Sequence, residues 1–165
     1  MSIVRFLDRG LFRLVSIVAQ LLIVSSVAAA FYQVLARFIF ESPADWSEAW
    51  SRASLIWAVL LGVALAFRQG AMLSVEMLRN SLKGSGRRVL EFLIMAASVS
   101  FMGFLAWVGG SMVWRVRFQT MPSLEVSISW VYLAIPVGAT LAIIAIVARW
   151  LEGSGDAPID EANAL

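Results

Sequence analysis

Apolar positions run along this chain in long unbroken blocks rather than in alternation. Residues 14–36, 92–114 and 126–148 carry no charge at all, and each block exceeds the roughly 20 residues that an α-helix needs to cross the hydrocarbon layer. A fourth block, 53–67, is shorter because Arg52 and Arg68 bound it. Extended N-terminally through Trp50 and Trp46, it too reaches spanning length. Blocks that are apolar on every face suit helices embedded in lipid, whereas barrel strands alternate apolar and polar over about ten residues. The pattern predicts an all-α membrane protein with four transmembrane helices, at about 12–38, 46–67, 89–114 and 126–150, in a single domain over 1–151.

The connection between the second and third spans has a different rhythm. Ala71, Val75, Leu78 and Leu82 recur at three- and four-residue steps, with Ser74, Glu76, Arg79 and Lys83 between them. That spacing predicts an amphipathic interfacial helix over 71–83, lying in the headgroup plane with its apolar side down. Residues 152–165 are acidic and rich in small residues, the composition of a flexible tail. Arg5, Arg9 and Arg13 before an apolar run, with Val27-Ala28-Ala29-Ala30 beyond, raise a signal peptide as an alternative. The run outlasts a typical signal core of about 7–15 residues and continues past Ala30, so an uncleaved helix is expected. Lys and Arg concentrate at the N-terminus, in the 68–88 connection and at Arg149, with fewer in the other two connections. By the positive-inside rule both termini face the cytoplasm.

Composition narrows the function. The 165 residues are 61% hydrophobic and 15% charged, with net charge +2; soluble domains are roughly 45–50% apolar and about 25% charged. No Lys/Arg-rich run suits nucleic acid. Cys and His both number 0, which excludes disulfides, Cys/His zinc sites, His-ligated haem and His or Cys catalysis. With no phosphate-cradling glycine loop or nucleophile elbow either, the chain reads as no enzyme, with no catalytic residue, no metal site and no cofactor.

The remaining polar and small residues each have two readings. Glu48 and Arg52 stand four apart with the acid first, the favourable order on one helix face; they are an interfacial ion pair that sets helix depth, or a contact to another subunit. Gln20, Gln33 and Arg37 lie on the first span; the Gln20 amide, well inside the bilayer, is expected to find a partner on a neighbouring helix, since side-chain hydrogen bonds glue helices in lipid, with a pore-lining role as the alternative. Ala58, Gly62 and Ala66 on the second span, Ala106 and Gly110 on the third, and Ala134, Gly138 and Ala142 on the fourth form small-residue stripes for close packing, inside the chain or against a partner. Pro136 is expected to bend the fourth span. Trp46, Trp50, Trp114, Trp130 and Trp150 fall near the interfaces that favour amphipathic rings, while Trp57 and Trp107 lie deeper. No ionisable group sits at mid-span, which argues against an ion or proton relay within this chain.

Two blocks carry a resemblance. The first is W-S-E-x-x-x-R-x-x-x-x-W-x-x-x-x-G-x-x-x-x-x-R-x-G, formed by Trp46, Ser47, Glu48, Arg52, Trp57, Gly62, Arg68 and Gly70. The second is W-V-Y-x-x-x-P-x-G, formed by Trp130, Val131, Tyr132, Pro136 and Gly138. In this order, with spans between, the chain resembles the small membrane subunit of tripartite ATP-independent periplasmic (TRAP) transporters. It departs from the family after Gly70, where a His and a basic residue often precede an acidic one and Met72, Ser74 and Glu76 stand at those places. The resemblance implies a bacterial inner-membrane subunit of a sodium-coupled transporter taking up organic acids. It implies a large elevator subunit holding the sodium and substrate sites, a periplasmic solute-binding protein, and membrane lipids as partners. The small subunit would anchor the large one as a fixed scaffold. Trp46, Glu48, Arg52, Trp57, Gly62, Arg68, Gly70, Trp130, Tyr132, Pro136 and Gly138 become the candidate interface or anchoring residues. The competing readings are a self-sufficient small homo-oligomeric transporter, which would need ionisable groups facing a central cavity, and a quinone-linked enzyme anchor, which would need cofactor ligands.

Overall fold

The computed structural model describes residues 2–42, 44–70 and 85–151. They form four long helices, α1 (Ser2–Phe38), α2 (Asp45–Gln69), α3 (Ser85–Val116) and α5 (Ala134–Leu151), with a short α4 (Ser129–Tyr132) ahead of the last. Four helical segments are long and apolar enough to cross a membrane: Gly10–Phe38, Asp45–Gln69, Val89–Val116 and Ser129–Trp150. Among the described residues there is no strand, only an isolated bridge between Thr120 and Ser127. The protein is therefore an all-α membrane protein with four spanning helices. The interfacial helix expected over 71–83 and the tail over 152–165 lie outside the described residues.

The helices outrun the charge-free blocks. At 1.5 Å per residue α1 is about 55 Å long and α3 about 48 Å, against a hydrocarbon core of about 30 Å. Neither has a proline to stop it, so the helix carries on past the apolar limit into charged sequence. The fourth span is shorter than expected at its start. Residues 119–128 instead form a small hairpin, held by Met121 N–H donating to the Val126 carbonyl and Ile128 N–H to the Gln119 carbonyl. Glu125, at φ 52°, turns it.

Pro136 acts where expected, but by interruption. The fourth span divides at Leu133, between α4 and α5. A proline ring collides with the carbonyl four residues back and supplies no N–H to it; here that carbonyl belongs to Tyr132, the last residue of α4. Pro136 then sits in the first turn of α5, where a missing donor costs nothing.

Packing order differs from chain order. α1 packs on α2, α2 on α5, and α5 on α3. The last helix in sequence is thus inserted between the second and third. α1 runs antiparallel to α2, since Ser26 meets Ser51 while Gln33 meets Glu48. α2 and the α4–α5 unit run parallel, since Trp57 meets Trp130 and Leu60 lies at Gly138. One core cluster joins Ala64 of α2, Met102 of α3 and Ala139, Ala142 and Ile146 of α5; a smaller one joins Val15 and Ala19 of α1 to Leu61 of α2. These cores are built largely of alanine, as expected where close backbone approach, rather than expulsion of water, draws helices together.

Candidate functional site

The two sequence blocks occupy the two central helices. Because α2 and α4–α5 are parallel neighbours, the blocks run side by side. At the middle of α2, the Trp57 indole N–H donates to the Trp130 carbonyl at 3.1 Å. Farther along, Gly138 is buried, and a Cβ built on it would come within 2.8 Å of the Leu60 Cβ and 3.0 Å of the Leu60 carbonyl oxygen. At the far end, Gly70 caps α2 in the left-handed region, at φ 69°, and its N–H donates to the Ala66 carbonyl. The Arg149 guanidinium of α5 occupies the space its Cβ would take. A cation there faces the negative end of the α2 dipole. Trp57 and Trp130 thus join the two blocks directly, while Gly138 and Gly70 meet Leu60 and Arg149, which lie outside them.

The α3 side uses a glycine that the small-residue pattern did not single out. A Cβ on Gly109 would come within 2.6 Å of Ile135 Cγ2 and 3.0 Å of Pro136 Cδ, whereas one on Gly110 would meet nothing within 4 Å. The available signal was the step of seven from Met102, which shares the buried face with Gly109. The α2 stripe is only partly a seam. Ala58 is buried, but Ala66 is exposed and a Cβ on Gly62 would meet nothing within 4 Å. Stepping by three and four from Arg52, the residues Leu55, Val59, Gly62 and Ala66 share one outward face of α2.

The α1–α2 contact is a polar ladder. The Ser51 hydroxyl donates to the Ser26 carbonyl at 3.0 Å, and the Ser26 hydroxyl lies 3.0 Å from both the Ser51 hydroxyl and its carbonyl. The Trp50 indole N–H donates to the Ser25 hydroxyl at 2.8 Å. Gln33 reaches across, its amide donating to Glu48 Oε2 at 3.3 Å. Glu48 also pairs with Arg52. Gln20 does not reach a neighbouring helix; its amide meets Ser16 on α1 itself, at 3.5 Å, on an exposed face. Interhelical side-chain hydrogen bonds in membranes are worth about 0.6 kcal/mol on average. Ser26→Val is expected to lower the unfolding midpoint of the purified chain in detergent by a few degrees without changing its helix content by circular dichroism.

Trp46 is exposed and packs on Tyr32, ring centroids 5.5 Å apart. Arg68 lies over the Phe12 ring at 5.9 Å, and Tyr132 is half-buried in α4. At the opposite end from Arg68, Arg117 stacks on Trp114 at 3.8 Å and on Phe118 at 4.6 Å, a cluster that sequence reading missed. The structure therefore brings the candidate residues to one helix pair and not to one pocket. Among the described residues no group of His, Cys, Asp or Glu is arranged to hold a metal ion.

Four apolar spans and a closely packed seam, with side chains spent on helix contacts, define a multi-pass helical membrane protein. Residues 26–155 match the family model described as the DctQ component of tripartite ATP-independent periplasmic transporters, and the chain belongs to that family. It is similar to a putative TRAP transporter small permease protein of Haemophilus influenzae, 27% identical over 84% of this chain and 82% of that protein. The C4-dicarboxylate TRAP transporter small permease protein of Rhodobacter capsulatus is 31% identical over 58% of this chain but 43% of its own length. The sialic acid TRAP transporter small permease protein of Vibrio cholerae is 23% identical over 74% of this chain and 70% of that protein. The chain is thus a TRAP small permease subunit and a multi-pass protein of the inner membrane.

Proposed function

We propose that this chain is the fixed scaffold beside the large membrane subunit of a sodium-coupled TRAP transporter for an organic acid, loaded by a periplasmic solute-binding protein. In this reading the large subunit carries sodium and solute, and both termini of the small one face the cytoplasm, as the Lys/Arg distribution favours. The observation that carries the reading is the closed α2–α5–α3 seam. Gly138 against Leu60 brings α2 and α5 to contact distance at mid-span, and Gly109 against Ile135 and Pro136 does the same for α3 and α5 nearer one end. A solute would have to part backbones already touching. An elevator needs a partner that resists sliding in the bilayer, and interfacial Trp and Arg anchors on a close-packed helix group supply that resistance.

The outward face of α2 is the proposed seat for the large subunit. It begins at the Glu48–Arg52 pair, where Arg52 is 75% exposed, and continues past Gly62, whose small size nothing among the described residues requires. Glu48→Ala and Arg52→Ala are each expected to lower the yield of co-purified complex and the uptake rate several-fold, with the isolated subunit still folded. The decisive measurement is sodium-driven uptake in liposomes. This chain alone is expected to carry nothing, and the large subunit alone to fall well short of the pair. Solute uptake by this chain alone would instead establish a self-sufficient transporter.

A further inference from the structure

A groove of about 350 Å³ opens between α1 and α2 at the end where α2 stops, lined by Phe12, Ser16, Leu65, Arg68 and Gln69. Its chemistry is divided. Phe12 and Leu65 form an apolar wall, while the Ser16 hydroxyl, the Arg68 guanidinium and the Gln69 amide supply hydrogen-bond donors. The cation–π contact with Phe12 holds Arg68 beside the groove. Arg68 and Gln69 are the last two residues of α2, which places them at headgroup depth on that side of the bilayer. The exposed Arg13 lies one turn before Ser16 on the same side of α1. Toward mid-membrane the polar lining ends.

Cationic donors at headgroup depth, beside the apolar wall of Phe12 and Leu65, complement a lipid that carries a negative charge. We propose that this groove binds one anionic phospholipid. Its phosphate sits against Arg68 and Arg13 with Ser16 and Gln69 donating to it, and an acyl chain leaves along the apolar wall of Phe12 and Leu65. Arg68 has a further contact in the chain, and a guanidinium has five N–H donors to share between acceptors. The Arg149 guanidinium is engaged at Gly70 and takes no part.

The test is native mass spectrometry of the purified full chain, titrated with phosphatidylglycerol, phosphatidylcholine or inorganic phosphate. One phosphatidylglycerol is expected to bind about tenfold more tightly than phosphatidylcholine, the scale of one charge-assisted hydrogen bond. Inorganic phosphate at millimolar concentration is expected not to displace it. Arg13→Gln and Ser16→Leu are each expected to weaken phosphatidylglycerol about tenfold while helix content by circular dichroism stays unchanged; Gln69→Leu serves in place of either variant that fails to fold. Equal binding of the two lipids, variants that retain phosphatidylglycerol like the parent chain, or displacement by free phosphate would each overturn the proposal.

Discussion

Gly138→Leu is expected to leave little or no monodisperse, folded protein after extraction in detergent. The substituted Cβ would come within 2.8 Å of the Leu60 Cβ, 3.0 Å of its carbonyl oxygen and 3.2 Å of its carbonyl carbon. Two of these three atoms are backbone, so no change of rotamer relieves the collision; α2 and α5 have to separate. Overpacking a close contact costs about 1–3 kcal/mol, and more where backbone must move. Here the separation also removes the neighbouring alanine contacts of Ala64, Ala142 and Ala139, and lipid supplies no hydrophobic drive to restore them. The comparison that gives the experiment its force is Gly62→Leu. It belongs to the same kind of stripe, one helix away, yet its Cβ would meet nothing within 4 Å. The isolated Gly62→Leu chain is expected to keep its elution profile and unfolding midpoint. Identical behaviour of the two variants would mean that the seam is drawn on the wrong face of α2.

Gly70→Val is expected to be the second most damaging single change. Two independent costs meet at this position. The backbone lies at φ 69° and ψ 27°, where an L side chain costs about 1–2 kcal/mol and a β-branched one more. Any Cβ would also displace the Arg149 guanidinium from the end of α2, removing a cation from the negative end of the helix dipole. The costs separate by mutation. Gly70→Asn relieves part of the first, because asparagine tolerates the left-handed region, and leaves the second. Arg149→Ala removes the collision and leaves the strain. In thermal unfolding Gly70→Asn should therefore be milder than Gly70→Val. Gly70→Val should also cost less in an Arg149→Ala background than in the parent chain, a coupling that a double-mutant cycle reads directly. Additive effects would show that Arg149 does not sit at the cap.

Whatever depends on chain composition over twenty residues was legible in the sequence, and whatever depends on which faces meet was not. The four spans follow from charge-free runs because hydrocarbon admits little else. Gly70 and Gly138 stood in recognisable blocks, and both prove to be places where a side chain has no room. Gly109 escaped notice because small residues at three- and four-residue steps mark several faces of an Ala- and Gly-rich helix equally well. Only the partner decides, and here Ile135 and Pro136 decide for Gly109 over Gly110. The two glutamines make the same point with polar groups. Gln33 lies on the α1 face that meets α2 and finds Glu48, whereas Gln20 lies off that face and turns to Ser16. Helix ends were misjudged for a different reason. Charge marks the edge of the hydrocarbon, but a helix stops only for a backbone reason, such as Gly70 at the end of α2 or the run-up to Pro136.

The insertion of α5 between α2 and α3 bears on how the protein is made. Synthesis delivers α1 and α2 first, and their serine ladder lets that hairpin settle as soon as both are in the bilayer. α3 follows without the helix it packs against, since that partner is the last one synthesised. Until the ribosome has delivered α5, the faces of α2 and α3 that it covers, around Ala64 and Met102, stay open to any passing helix or to quality-control proteases. The keystone comes last, so a nascent chain that stalls before it lacks the larger of its two cores.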